Sequence, residues 1–249
     1  MKNFKRVISV AMVATMAVSV FACSSETAET EAEAEIVTNG ISYAEYVAAD
    51  LDTEVTVDVY VQATQSWWND SITVYAADHD GAYFIYGMAC SEEEAALLES
   101  GTMIEVTGYK TEWSGEIEIA DATFTVVEGA DTYIADPIDL TADFGNEDAL
   151  IENQNAFFSM DNLTVVESAD GAAFLYSWDG SGSQGDDLYF TVSNGDATAT
   201  FTVESYLTGA DTAVYQTVEG LQVGDTINVA GFLYWYEGVN PHITFVEVQ

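Results

Sequence analysis

Residues 101–115, GTMIEVTGYKTEWSG, and residues 224–238, GDTINVAGFLYWYEG, are two versions of one pattern. Gly101, Ile104, Val106, Gly108, Tyr109, Trp113 and Gly115 stand opposite Gly224, Ile227, Val229, Gly231, Phe232, Tyr236 and Gly238 at a constant spacing, and Thr123-Phe124 answers Thr244-Phe245 after a two-residue deletion. Each version opens with apolar residues at every second position, the period of a strand with one buried face. A repeat of this length implies two copies of one supersecondary unit.

Upstream of the first version, Val55, Val57, Val59 and Val61 alternate with Thr56, Asp58 and Tyr60, and Ile72, Val74 and Ala76 alternate next. Asp78-His79-Asp80-Gly81 supplies a turn, and Tyr83 to Met88 runs as an almost continuous apolar strand. Ser91 and Glu94 have the spacing of a capping box ahead of Ala95 to Leu98, so a short helix begins there, and Gly101 ends it. Ile104 and Val106 begin a fourth strand; Ile117, Ile119, Phe124 and Val126 carry the fifth. Three strands, a short helix and two strands is the order of the OB-fold, a small Greek-key barrel. The expected class is therefore mainly β, with two tandem OB-fold-like five-stranded Greek-key barrels, each with a short helix or helix-like connector. Module 1 is placed at 41–129, a linker at 130–155 and module 2 at 156–249. Asn194-Gly195 marks the hairpin of the second copy. That copy fits more loosely, since Glu167 to Asp187 is a long insertion after its first strand and Tyr206 to Leu221 is only weakly helical in pattern.

At the N-terminus Lys2, Lys5 and Arg6 precede an apolar run from Val7 to Ala22, shorter than the roughly 18–20 residues a membrane span needs. Residues 1–22 read as a signal peptide, and Val20-Phe21-Ala22-Cys23 resembles the bacterial lipobox. That resemblance implies lipidation of Cys23, with more than one acyl chain and so a stable anchor. Residues 23–40 begin SSETAETEAEAE after the cysteine, a self-repelling acidic tether with nothing to bury. Cys23 taken by lipid leaves Cys90 alone, and its apolar neighbours make it a small buried hydrophobe.

Through the lipobox, the Asp78 to Tyr86 block and Val106-Thr107-Gly108-Tyr109-Lys110, the chain resembles bacterial surface lipoproteins with tandem OB-fold modules. The resemblance spans most of the chain and implies an extracytoplasmic, lipid-anchored protein at the cell surface; it brings little about activity.

After residue 22, Lys110 is the one basic side chain against 43 carboxylates, a formal charge of −42. Such a chain cannot neutralise phosphates, which argues against nucleic acid and anionic headgroups as partners and leaves the lipid anchor as the only membrane contact. His79 and His242, one per module, make no nucleophile and base pair or zinc site, so no catalytic residue is assigned and a hydrolase is the least favoured class. Calcium is the one cofactor the pattern admits: Asp179, Asp186 and Asp187 lie in a Gly- and Ser-rich loop that offers oxygen ligands, although it departs from the EF-hand spacing.

Aromatic residues are the remaining signal. Trp67 and Trp68 fall in the loop after the first strand, Trp113 in the last hairpin, Trp178 in the corresponding loop of the second copy, and Trp235 and Tyr236 in its last hairpin. These are the loops with which OB-folds hold ligands. They predict a non-catalytic binding module for a neutral or cationic ligand, a glycan or a peptide segment. The competing assignments are an acidic envelope spacer that collects cations and, for the rings themselves, plugging the barrel ends or joining the modules.

Overall fold

The computed structural model describes residues 39–169 and 171–249. The expected signal peptide, Cys23 and most of the expected tether lie outside the described residues. In chain order the elements are α1 (Tyr43–Ala48), β1 (Thr53–Thr64), β2 (Ser71–Ala77), β3 (Ala82–Ala89), α2 (Glu92–Ala95), β4 (Met103–Trp113), β5 (Glu116–Val126), β6 (Ile138–Asp139), α3 (Glu147–Leu150), β7 (Phe157–Val166), β8 (Phe174–Tyr176), β9 (Leu188–Asn194), β10 (Ala197–Val203), α4 (Ala213–Glu219), β11 (Thr226–Phe232) and β12 (His242–Val248).

The first barrel closes in the order β1-β2-β3-β5-β4, with β4 antiparallel to β1 and β5 parallel to β3. The second repeats it as β7-β9-β10-β12-β11, closed by β11 on β7 and by β7 on β9, with β12 parallel to β10. In both, the helix sits between the third and fourth strands, at α2 and α4. The fold is mainly β, built of two OB-type barrels as the strand order predicts.

The alternating valines of β1 do what their period requires: Val55, Val57, Val59 and Val61 are buried with Ile85, Ile104, Val106 and Ile119 in the first core. Ser91 and Glu94 form the predicted capping box. A second one, Ser42 with Glu45, starts α1, which plugs the first barrel with Tyr46. Cys90 is buried.

Segment 130–155 differs from the expected linker. It carries β6, which pairs in parallel with β7, and α3, and its Leu140 and Leu150 enter the core of the second barrel. The insertion after β7 also contributes structure, because β8 pairs with β9 and extends the sheet. Among the described residues no helix is long and apolar enough to cross a membrane.

A third apolar cluster lies between the barrels. Tyr75 of β2 and Phe84 of β3 meet Phe232 of β11, with Ala63, Phe157, Leu207 and Tyr234 packed around them. Tyr75 stacks on Phe232 at 4.4 Å between centroids and its hydroxyl lies 2.6 Å from His242 Nδ1. Outward faces of strands, solvated in a lone barrel, have become core here.

Candidate aromatic ligand face

The loop joining β1 to β2 is a tight turn in which Asn69 and Asp70 both take positive φ, and Trp68 and Ser71 exchange backbone hydrogen bonds of 2.9 and 3.1 Å. Asn and Asp tolerate the left-handed region better than most residues, so the sequence supports this turn. It sends the two tryptophans in opposite directions. Trp67 turns inward, packs on the first core and donates from Nε1 to the Cys90 carbonyl at 2.9 Å. Trp68 is 70% exposed.

Two rings that the sequence did not single out stand beside Trp68. Tyr86 points out of β3 because Gly87, at φ 55°, bulges the strand where the register with β2 slips. Tyr206 comes from the second module, and its carbonyl accepts from both the backbone N–H and the hydroxyl of Ser66, at 2.7 and 3.1 Å. The Glu204 carboxyl fixes that segment, accepting from the backbone N–H groups of Tyr206 and Leu207; burial, then the nearby Asp187, pushes it up to about 7. Trp68, Tyr86 and Tyr206 thus line one open hollow of about 520 Å³, floored by Gln65, Ile72 and Thr73. On the other side of Trp68 and Tyr206 a second hollow is edged by Asp186, Asp187 and Ser205.

The other predicted rings divide. Trp178 is 77% exposed at a loop tip and lines neither hollow. Trp113 and Tyr236 are about half exposed and meet at 5.1 Å where the two last hairpins touch, Glu237 N–H donating to the Ser114 carbonyl at 2.7 Å. Trp235 is buried in the second core and leans on Gly115, where a Cβ would come within 2.9 Å of its ring. For Trp235, and in part for Trp67, core packing rather than ligand contact explains the ring.

Asp179, Asp186 and Asp187 are not gathered into a cation site. Asp179 accepts from Ser181 N–H and Asp186 from Ser183 N–H, each closing a local turn, while Asp187 accepts from the distant Ser205 N–H. Among the described residues no group of three or more His, Cys, Asp or Glu side chains could hold a metal.

The histidines sit apart. His79 is exposed in the turn that Asp78 closes by accepting from Asp80 and Gly81 N–H, and its ring lies on Tyr133 at 4.1 Å. His242 is buried under Tyr234 at 4.3 Å, and burial holds its imidazole down to about 3. Lys110 is also spent internally: its ammonium donates to the carbonyls of Tyr46, Val47 and Ala49 at the end of α1, at 3.0, 2.9 and 2.8 Å.

No protein-family model matches the chain, and no curated protein matches it. Solved structures do. The p204 HINb domain aligns at TM-score 0.36 and 11% identity, over 81% of this chain and 100% of that one. The Ifi202 HINa domain, solved with 20-bp double-stranded DNA, aligns at 0.35 and 11%, over 80% and 97%. A deletion mutant of the single-stranded DNA binding protein from Thermus aquaticus aligns at 0.25 and 14%, over 79% and 93%. Two of these are described with DNA, against the expectation of a glycan or peptide ligand and against the exclusion of nucleic acid. At such identities and scores the likeness does not carry their ligand to this chain.

Proposed function

We propose that this chain is a non-catalytic binding protein whose ligand face is the shelf of Trp68, Tyr86 and Tyr206, and that the shelf takes a flat unsaturated ring such as an unstacked nucleobase. The observation that carries the proposal is the convergence of three solvent-facing rings on one hollow at the loop after the first strand, where barrels of this type hold ligands. Base-on-aromatic stacking contributes about 1–3 kcal/mol per base and is indifferent to base identity. Two stacked bases, at about 2–6 kcal/mol together, bracket a dissociation constant of about a millimolar, and a single base binds more weakly.

Charge sets how this protein would differ from ordinary nucleic-acid binders. With Lys110 turned onto α1, no side chain after residue 22 is free to neutralise phosphate. Salt must therefore strengthen the binding of an oligonucleotide by screening repulsion, the reverse of counterion release. Two placements of the histidines support a non-enzymatic role: one lies in an exposed turn and the other is buried at the barrel junction. The basic start, apolar run and lipobox support export and anchoring through Cys23 at the outer face of a membrane.

The test is tryptophan fluorescence with adenosine and with oligo-dT, at low salt and with millimolar magnesium. Quenching by both, stronger for the oligonucleotide once magnesium is present and lost in Trp68→Ala and Tyr206→Ala but kept in Trp178→Ala, is the expected result. Absence of quenching by either probe at any ionic strength would overturn the proposal. Labelling with radioactive palmitate, lost in Cys23→Ala, tests the anchor.

A further inference from the structure

Glu116 is a fully buried carboxyl that no cation pairs among the described residues. It opens β5 directly after the Ser114-Gly115 turn and its side chain is fully buried, at the contact between the barrels. Donors from the second module converge on it and its neighbours. Trp235 N–H and Gln154 Nε2 donate to Glu116 Oε2 at 2.9 and 3.3 Å, Gln154 Nε2 also reaches the Gly115 carbonyl at 2.8 Å, and Asn155 Nδ2 reaches the Ile117 carbonyl at 3.1 Å.

Three buried polar atoms here have no partner: Glu116 Oε1, Asn155 Oδ1 and the Tyr46 hydroxyl. The first two are acceptors only while Glu116 is ionised, so they cannot satisfy one another or be satisfied together without an added hydrogen. The Asn155 side chain and the Trp235 N–H both favour the ionised carboxyl, and burial outweighs them. Buried acceptors are ordinarily paired, and the Tyr46 hydroxyl, which could donate, makes no hydrogen bond to either, so both acceptors still lack a donor.

The charges around Glu116 point the same way. Glu118 follows on the same buried face of β5, itself raised by burial and held by Thr111 Oγ1 at 3.4 Å. Tyr46 of α1, Tyr75 of β2 and Tyr234 after β11 face the pair and are all raised, mainly by burial. On the neighbouring strand β4, Lys110 has its ammonium committed to the α1 carbonyls. Among the described residues no cation meets the carboxylate, and burial pushes Glu116 up to about 8.

We propose that Glu116 is a proton-binding site built into the joint between the barrels, its acid hydrogen completing the contact with the Asn155 and Gln154 segment, so that the joint is tight at neutral and acid pH and loosens at alkaline pH. The sign follows from linkage. An acid whose folded pKa is raised binds more protons folded than unfolded, so its contribution is whole below the unfolded pKa of 4.5 and is lost as pH rises through about 8.

Two measurements test it on the chain lacking the signal peptide. In ¹³C-carboxyl NMR, Glu116 should titrate with a midpoint well above the ordinary glutamate range; titration at or below the range of exposed glutamates overturns the proposal. In urea unfolding as a function of pH, Glu116→Gln, whose amide supplies the missing donor without a charge, should match the wild type in acid and exceed it in alkali. A variant that keeps the wild-type decline with rising pH also overturns it, and should the variant fail to fold, the NMR midpoint of the wild type still decides.

Discussion

Replacing Lys110 by methionine keeps the aliphatic stem and removes one ammonium. Three carbonyls at the end of α1 then lose their donor, and the ring of Tyr46 loses the cation 5.2 Å from its centroid. Those carbonyls carry the negative end of the helix, and the side chain is buried. Removing one partner of a buried charged contact typically costs about 3–5 kcal/mol, here reduced because the ammonium no longer has to be desolvated. An estimate of about 3 kcal/mol is reasonable, which lowers Tm by roughly 6–12 °C in a chain of this size. Urea and thermal unfolding followed by near-ultraviolet circular dichroism would read it, since Tyr46 lies 4.9 Å from Tyr83 and reports on the seating of α1. Salt separates the local effect from the general one: a loss due to overall charge shrinks with screening, a lost buried contact does not. A Tm within about one degree of the wild type would refute the account of Lys110 as the clasp of α1.

Phe232→Ala empties the middle of the inter-barrel cluster and should cost about 3–5 kcal/mol, read by urea unfolding; a loss typical of a surface site would mean the barrels hold together by other contacts. His242 titrates at about 3 when folded and 6.5 when not, so the native state binds fewer protons between these values and stability must fall as pH drops through that window. Exchanging it for glutamine should flatten this acid limb in pH-dependent unfolding, and an unchanged limb would place the titrating group elsewhere. Calcium and magnesium at equal ionic strength should raise Tm equally, because Asp179, Asp186 and Asp187 are each engaged by a different backbone N–H; a specific calcium shift in calorimetry would contradict that geometry. Trypsin should leave the native chain after residue 22 whole and cut the unfolded one only at Lys110, as mass spectrometry of timed digests would show.

Most of the fold was legible because its signals are local. The valines of β1 and the Ser91 to Glu94 box each act within a few residues, and the repeat from Gly101 and Gly224 reports the duplication directly. What stayed hidden depends on the other module. Glu116 and Glu118 alternate with Ile117 and Ile119 as an outward face would, and only the arrival of Gln154, Asn155 and Trp235 makes that face interior. Segment 130–155 has just Leu140 and Leu150 as buried apolar anchors, too few and too far apart to carry a period. Of the site, the sequence located the loop and Trp68. Tyr86 was hidden in an apolar strand because a bulge at Gly87 is not visible in hydrophobic alternation, and Tyr206 joins the shelf only through tertiary contact with Ser66.

The cluster of Tyr75, Phe84 and Phe232 also bears on how the duplication can be inherited. Each copy presents to its sibling a face that a lone barrel would leave in water, so cutting the gene between them would yield two fragments with aromatic patches open to solvent and to each other. By this packing the stable unit is the pair and not the single repeat.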